Sequence, residues 1–204
     1  MSSSDLQRFS FLERLVHWVV GLSFTTLLLT GLAFSYPKLF WLTVLFGGGP
    51  AARILHPWIG IVLAMGLVLM FLIWVQDMFL DRADVEWMKA IGHYARHDTK
   101  NVPETGKYNA GQKAFFWFQS VLGVVFLVSG IPLWLPDGFA AELLRFMRLI
   151  HFVAAMGGGL LLVLHVYLGI VAFPGTARGM LQGSVTRRWA KLHHPLWYRE
   201  QSGD

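Results

Sequence analysis

Four of the eight histidines, His17, His56, His151 and His165, stand inside long apolar runs. An ionisable side chain in such surroundings is expensive and reads by default as functional. Neutral imidazole binds iron through one ring nitrogen while the other donates a hydrogen bond. The sequence contains no cysteine, which excludes an iron–sulfur cluster or thiolate zinc site ligated by this chain, a disulfide and a covalently attached haem. A proton relay usually recruits carboxylates, and the apolar runs hold none. A single metal needs its ligands at one depth, yet His151 and His165 are fourteen residues apart, roughly 21 Å along a helix and within about 40° of one face. Two bis-histidine haems b account for the four better than hydrogen-bonded core histidines do.

The elements that must carry these ligands are membrane helices. The chain has 204 residues, 55% hydrophobic and only 14% charged, where a water-soluble domain carries about a quarter charged residues. Four stretches, 11–36, 54–76, 112–135 and 149–173, reach the roughly 20 residues that cross a bilayer. In the first and third the apolar part proper begins at Leu15 and Ala114. Ser10 and Glu13 form an S-x-x-E capping box, which starts the first helix near Phe11. Pro57 suits a first-turn position in the second stretch. Pro132 bends or ends the third. The first stretch is too long for a cleaved signal peptide. The expected fold is all-α: one integral membrane four-helix bundle over residues 1–204, with a polar loop at 77–111 and a tail at 174–204.

Lys and Arg set the orientation. Thirteen of the seventeen lie in the N-terminal segment, the middle loop and the tail, and only Lys38, Arg53, Arg145 and Arg148 lie in the other two loops. By the positive-inside rule both termini and the middle loop are cytoplasmic; the expected membrane is a bacterial inner one. The net charge of +5 thus reflects topology, and nucleic acid is not an expected partner. This orientation pairs His56 with His151 near the outer surface and His17 with His165 towards the inner one. A depth mismatch remains in the inner pair, since His165 lies further from its surface than His17.

Two patterns recur around these histidines, the first at all four and the second at three. Gly21, Gly60, Ala155 and Gly169 stand four residues after a histidine, on its face, where a small residue clears space for a porphyrin; close helix packing explains them equally well. Arg14, Arg53 and Arg148 stand three residues before one, where a guanidinium can pair with a haem propionate or anchor to lipid headgroups. His93 and His97 have a spacing compatible with a metal site but no third ligand. His193 and His194, in the basic tail, are expected to be solvated or to meet a partner. Part of the 77–111 loop, around Trp87 and Ile91, is expected to form a short surface helix. Gln201 to Asp204 look disordered.

Several motifs resemble the gamma subunit of membrane-bound formate dehydrogenases over nearly the whole chain, from Arg8 to about Glu200. They are E-R-x-x-H-W around His17, H-P-W-x-G from His56, the fourth stretch with His151 and His165, and K-Y-N-A-G-Q-K at Lys107 to Lys113. Cytochromes b of nickel–iron hydrogenases and thiosulfate reductases share the haem arrangement, and a haem-free anchor or transport subunit is the alternative of another class. The resemblance implies a chain that does not itself oxidise formate. A molybdenum or tungsten alpha subunit would do so outside, and an iron–sulfur beta subunit would pass electrons to the outer haem. The inner haem would then reduce menaquinone or another quinone at the cytoplasmic side. It also implies a quinone site at Asn109, Gly111 and Gln112, with His165 near the ring, and a higher oligomer of the three-subunit unit. Asn and Gln offer donors to quinone carbonyls, and Gly111 permits close approach. Asn109 equally suits a helix N-cap.

Overall fold

The computed structural model describes residues 5–203, Thr99 by its backbone alone. A short strand β1 (Asp5–Gln7) precedes α1 (Phe11–Ser35). A 3₁₀ segment, Pro37–Phe46, leads to α2 (Gly49–Trp74). The middle loop folds into α3 (Arg82–Lys89) and α4 (Ile91–Ala95). Then follow α5 (Ala110–Trp134) and α6 (Ala141–Tyr167), α6 ending in a π turn at Leu168–Ala172. The tail holds α7 (Arg178–Gln182), β2 (Ser184–Thr186), α8 (Arg187–His193) and α9 (Pro195–Ser202). The fold is therefore mostly helical but not wholly so, because β1 and β2 pair antiparallel with Leu6 opposite Val185.

Four helices are long and apolar enough to cross a membrane, at Phe11–Ser35, Gly49–Met78, Ala110–Trp134 and Ala141–Ala172. No more than 17% of the most apolar window of any of them is buried, and residues such as Leu22, Val121 and Leu160 stand exposed. Such faces suit lipid, which is as apolar as they are.

Two expectations about helix ends are corrected. The left-handed turn at Gly47 and Gly48 lets α2 begin at Gly49. Pro57 therefore lies inside the helix, not in its first turn. Interior proline is tolerated in membrane helices because neighbouring groups satisfy the freed carbonyl. Similarly α6 starts at Ala141, eight residues before the expected 149, since the charged turn around Glu142, Arg145 and Arg148 is helical too. At the other ends expectation and structure agree: Ser10 and Glu13 exchange the two hydrogen bonds of a capping box, at 2.6 and 3.3 Å, and α5 stops two residues after Pro132.

The chain divides into two compact units. One comprises Leu15–Leu72 and Gln119–His165. Within it small residues let helices approach closely. A Cβ on Gly158 of α6 would lie 2.8 Å from Phe24 of α1, and one on Gly123 of α5 would lie 2.8 Å from Leu67 of α2. Hydroxyls turn back on their own helices, as Thr25 does to Gly21 O and Ser35 to Gly31 O, so little polarity faces lipid.

The other unit comprises the residues up to Arg14, Ile73–Phe118 and the chain from Val166. Its core is Leu6, Val185, Trp189, Ala190 and Trp197. The expected surface helix is present as α3 and α4, although Trp87 is buried. Asp81 and Asp84 cap α3 reciprocally, and Lys113 Nζ lies 2.6 Å from Asp84. The tail departs from expectation. His194 is 1% exposed, neither solvated nor available to a partner. Gln201 and Ser202 are helical, while Asp204 lies outside the described residues. Trp197 is buried and Arg199 pairs with Glu104, and these contacts hold α9 in place.

Candidate functional site

The first unit brings the four membrane histidines together in two pairs. His56 of α2 and His151 of α6 have ring centroids 6.4 Å apart, and His17 of α1 and His165 of α6 have theirs 6.0 Å apart. The depth mismatch expected between His17 and His165 is absent at that distance.

These spacings can be compared with a bridging metal. A metal–imidazole bond is about 2 Å long, and adding the ring radius of roughly 1.1 Å to each side puts two trans imidazole centroids about 6 Å apart. Both pairs fit that distance. The pair of His56 and His151 also opens onto a cavity of about 910 Å³ lined by Phe24, Gly60, Phe126 and Ala155. Arg53, Arg145 and Arg148 line it as well, so cations stand beside an otherwise apolar chamber. A flat apolar macrocycle with acidic side arms matches that chemistry.

Hydrogen bonds select the ligating nitrogen. Nδ1 of His56 lies 2.7 Å from Thr30 Oγ1, and Nδ1 of His151 lies 2.9 Å from Ser129 Oγ. Each hydroxyl gives its own proton to a backbone carbonyl one turn back, Thr26 O at 2.9 Å and Val125 O at 2.6 Å. It can therefore only accept from the imidazole. Both rings are thus held as the Nδ1–H tautomer, with the Nε2 lone pair left for a metal. Thr30 and Ser129 were not singled out from the sequence, since buried hydroxyls in membrane helices usually bond back to the helix. The available signal was their shared context: each is followed by glycine, Gly31 or Gly130, and a Cβ there would meet Cε1 of the same histidine at 3.7 or 3.3 Å.

The other sequence candidates are placed as follows. Gly60 and Ala155 line the cavity, and beyond the adjoining residues and their own helix backbone no atom lies within 4 Å of a Cβ built on Gly21, Gly60 or Gly169. Arg14 has partners of its own, donating to the carbonyls of Met180 at 3.2 Å and Leu181 at 2.8 Å. In the second unit Asn109 and Gln112 form the N-cap that the sequence allows: each backbone N–H meets the other's side-chain oxygen at 3.0 Å. A Cβ on Gly111 would lie 3.3 Å from Asn109 Oδ1 and 3.4 Å from Trp87. His93 lies 2.9 Å from Asp98 and His97 packs on Phe173. No cluster of three metal-ligating side chains occurs among the described residues.

A helical membrane scaffold holding paired imidazoles defines a class, and the sequence bears this out. Residues 8–183 match the prokaryotic cytochrome b561 family, and the chain belongs to it. It is 37% identical over 203 residues to the cytochrome b556(Fdn) subunit of the nitrate-inducible formate dehydrogenase of Escherichia coli K12, covering 97% of this chain and 92% of that one. It is 35% identical to the cytochrome b556(fdo) subunit of formate dehydrogenase from the same organism, covering 95% and 92%. To the formate dehydrogenase cytochrome b556 subunit of Haemophilus influenzae it is 34% identical, covering 92% and 80%.

Proposed function

We propose that this chain is the di-haem cytochrome b subunit of a membrane-bound formate dehydrogenase, carrying electrons from an iron–sulfur subunit outside to a quinone at the cytoplasmic side. The observation that carries this reading is the pair of imidazole pairs, spaced for a bridging iron in a family named for cytochromes b. Haem b supplies reversible one-electron exchange at its iron when bound.

His56 and His151 would hold the outer group and His17 and His165 the inner one. Arg53 and Arg148 flank the outer chamber and would neutralise propionates there, while Gly21, Gly60, Ala155 and Gly169 leave room for the macrocycles. The two pairs share α6, which keeps the centres on one seam and sets a direct route across the bilayer. Asn109, Gly111 and Gln112 would receive the quinone as α5 begins, so protons are taken up on the side where both termini lie. Electrons moving inward and protons consumed inside together charge the membrane. Oxidation of formate falls to a molybdenum- or tungsten-bearing partner, and the four relevant helices give lipid the remaining surface.

Pyridine haemochrome analysis of the purified chain tests the reading. Two haems b per chain are expected, falling to one in His56→Ala and in His17→Ala. A haem-free chain, or one that keeps both groups in these variants, overturns the ligation. Copurification with a molybdopterin-containing subunit tests the choice of partner complex separately. Asn109→Ala is expected to lower menaquinol formation while leaving haem content unchanged; unaltered turnover and inhibitor sensitivity would remove that residue from the quinone site.

A further inference from the structure

We infer that Thr30 and Ser129 are positioning residues for the outer haem, fixing the ring orientation of both axial imidazoles and strengthening both as electron donors. The inference rests on the ligation by His56 and His151 proposed above. Three observations carry it. The two hydroxyls stand at 2.7 and 2.9 Å from the Nδ1 atoms, within good hydrogen-bond range. Each has its own proton committed to a carbonyl of its helix, so the bond runs from imidazole to hydroxyl and the Nε2 atoms are the ones presented to iron. Each is followed by a glycine beside the Cε1 of the same ring, at 3.7 and 3.3 Å from where a Cβ would be. The Thr30–Gly31 pair on α1 and the Ser129–Gly130 pair on α5 therefore form two copies of one seat: an oxygen that holds one edge of the ring and a bare backbone that admits the other.

One ring of the inner pair is held differently. Among the described residues His17 Nδ1 is buried with no hydrogen-bond partner. The seat is thus not shared by every histidine in the bundle.

The electronic consequence has a definite sign. An imidazole whose N–H donates to an oxygen gains basicity at the other nitrogen. A more basic ligand favours ferric over ferrous iron, so the two hydroxyls lower the reduction potential of the outer haem. That is the direction that helps electrons leave it inward.

Potentiometric titration of the haem α-bands, with low-spin ferric resonance spectra, tests this in membranes containing the whole complex. In Thr30→Val and Ser129→Ala one of the two haems b is expected to titrate at a more positive potential with altered g-values, the other remaining as in the parent. Thr30→Ser, which keeps the hydroxyl, is expected to restore the parental potential. If Thr30→Val instead loses the outer haem, retention in Thr30→Ser supports the same role, and loss in both overturns it. Parental potentials and spectra in Thr30→Val and Ser129→Ala also overturn it. The ligation is judged independently, by whether His56→Ala loses one haem.

Discussion

Arg8 is 5% exposed and makes no ion pair among the described residues. Its guanidinium lies 4.9 to 5.9 Å from the ring centres of Trp189, Trp197, Phe9 and Tyr108. It donates to Lys107 O at 2.6 Å and faces His194 Nε2 at 3.2 Å. His194 Nδ1 in turn donates to Gly106 O at 2.7 Å. A desolvated guanidinium over an aromatic face gains about 2 kcal/mol. Burial still lowers Arg8 to about 10, so it stays charged at neutral pH. Arg8→Ala strips a donor from Lys107 O and from His194, and each buried group left unpaired costs about 1–3 kcal/mol. Local opening of residues 184–202, read by hydrogen exchange, is expected to rise accordingly, and unchanged protection would refute it. Burial, and then the neighbouring Arg8 charge, hold His194 well below the usual histidine range. The unfolded chain accepts a proton near pH 6.5 and the folded one does not, so the contribution of His194 to the stability of this unit is lost progressively as pH falls below about 6.5. Fluorescence of Trp189 and Trp197 followed from about pH 7.5 down to about pH 5 is expected to report loosening before the carboxylates titrate. A flat profile would mean that His194 takes its proton without leaving its site. None of this was legible in the sequence: two adjacent histidines in a basic tail look solvated, and only the pairing of β1 with β2 brings residue 8 to them.

At the scale of elements, the K-Y-N-A-G-Q-K segment acts as a junction. Lys107 lies 3.6 Å from Glu13, Asn109 and Gln112 cap α5, and Lys113 meets Asp84 at 2.6 Å. Lys113 and Asp84 are both largely buried, with side chains 12% and 8% exposed. Removing one partner of such a pair typically costs 3–5 kcal/mol. Asp84→Ala is thus expected to detach α3 from α5, seen as proteolytic cleavage within 79–104; resistance equal to the parent would show that the pair is dispensable. Gly130→Val tests the approach of α5 to α6, since even a Cβ there would sit 3.3 Å from His151 Cε1. Loss of the outer haem alone is expected, and retention of both would show that the ring has room. The apolar runs made the four long helices legible because lipid demands length and low charge together. The start of α2 was not legible, because Arg53 and Pro57 look like a loop and a first turn until the helix is seen to begin at Gly49. The histidine pairs were legible from charge asymmetry and depth. The hydroxyls behind them were not, because their helices had to be placed side by side first.

For the whole molecule, orientation decides the direction of electron flow in the proposed function, and it is directly measurable. The chain has no cysteine, so single-cysteine reporters meet no background. Arg96→Cys is expected to be shielded from a membrane-impermeant maleimide applied to intact cells whose outer membrane has been permeabilised, and Asp137→Cys, exposed between α5 and α6, to be labelled. The opposite pattern would invert the topology and with it the assignment of outer and inner pairs. Twofold residence on α6 gives the molecule a constraint of a different kind. Its loops can lengthen or shorten over time with little penalty, because closure entropy grows slowly with length. The stretch of α6 from His151 to His165 cannot. One inserted residue turns everything beyond it by about 100° and shifts it by about 1.5 Å, swinging one imidazole off the seam while the other keeps its partner. Substitutions can accumulate in that interval, but its length is locked, and a relative that altered it would have to give up one of its two histidine pairs.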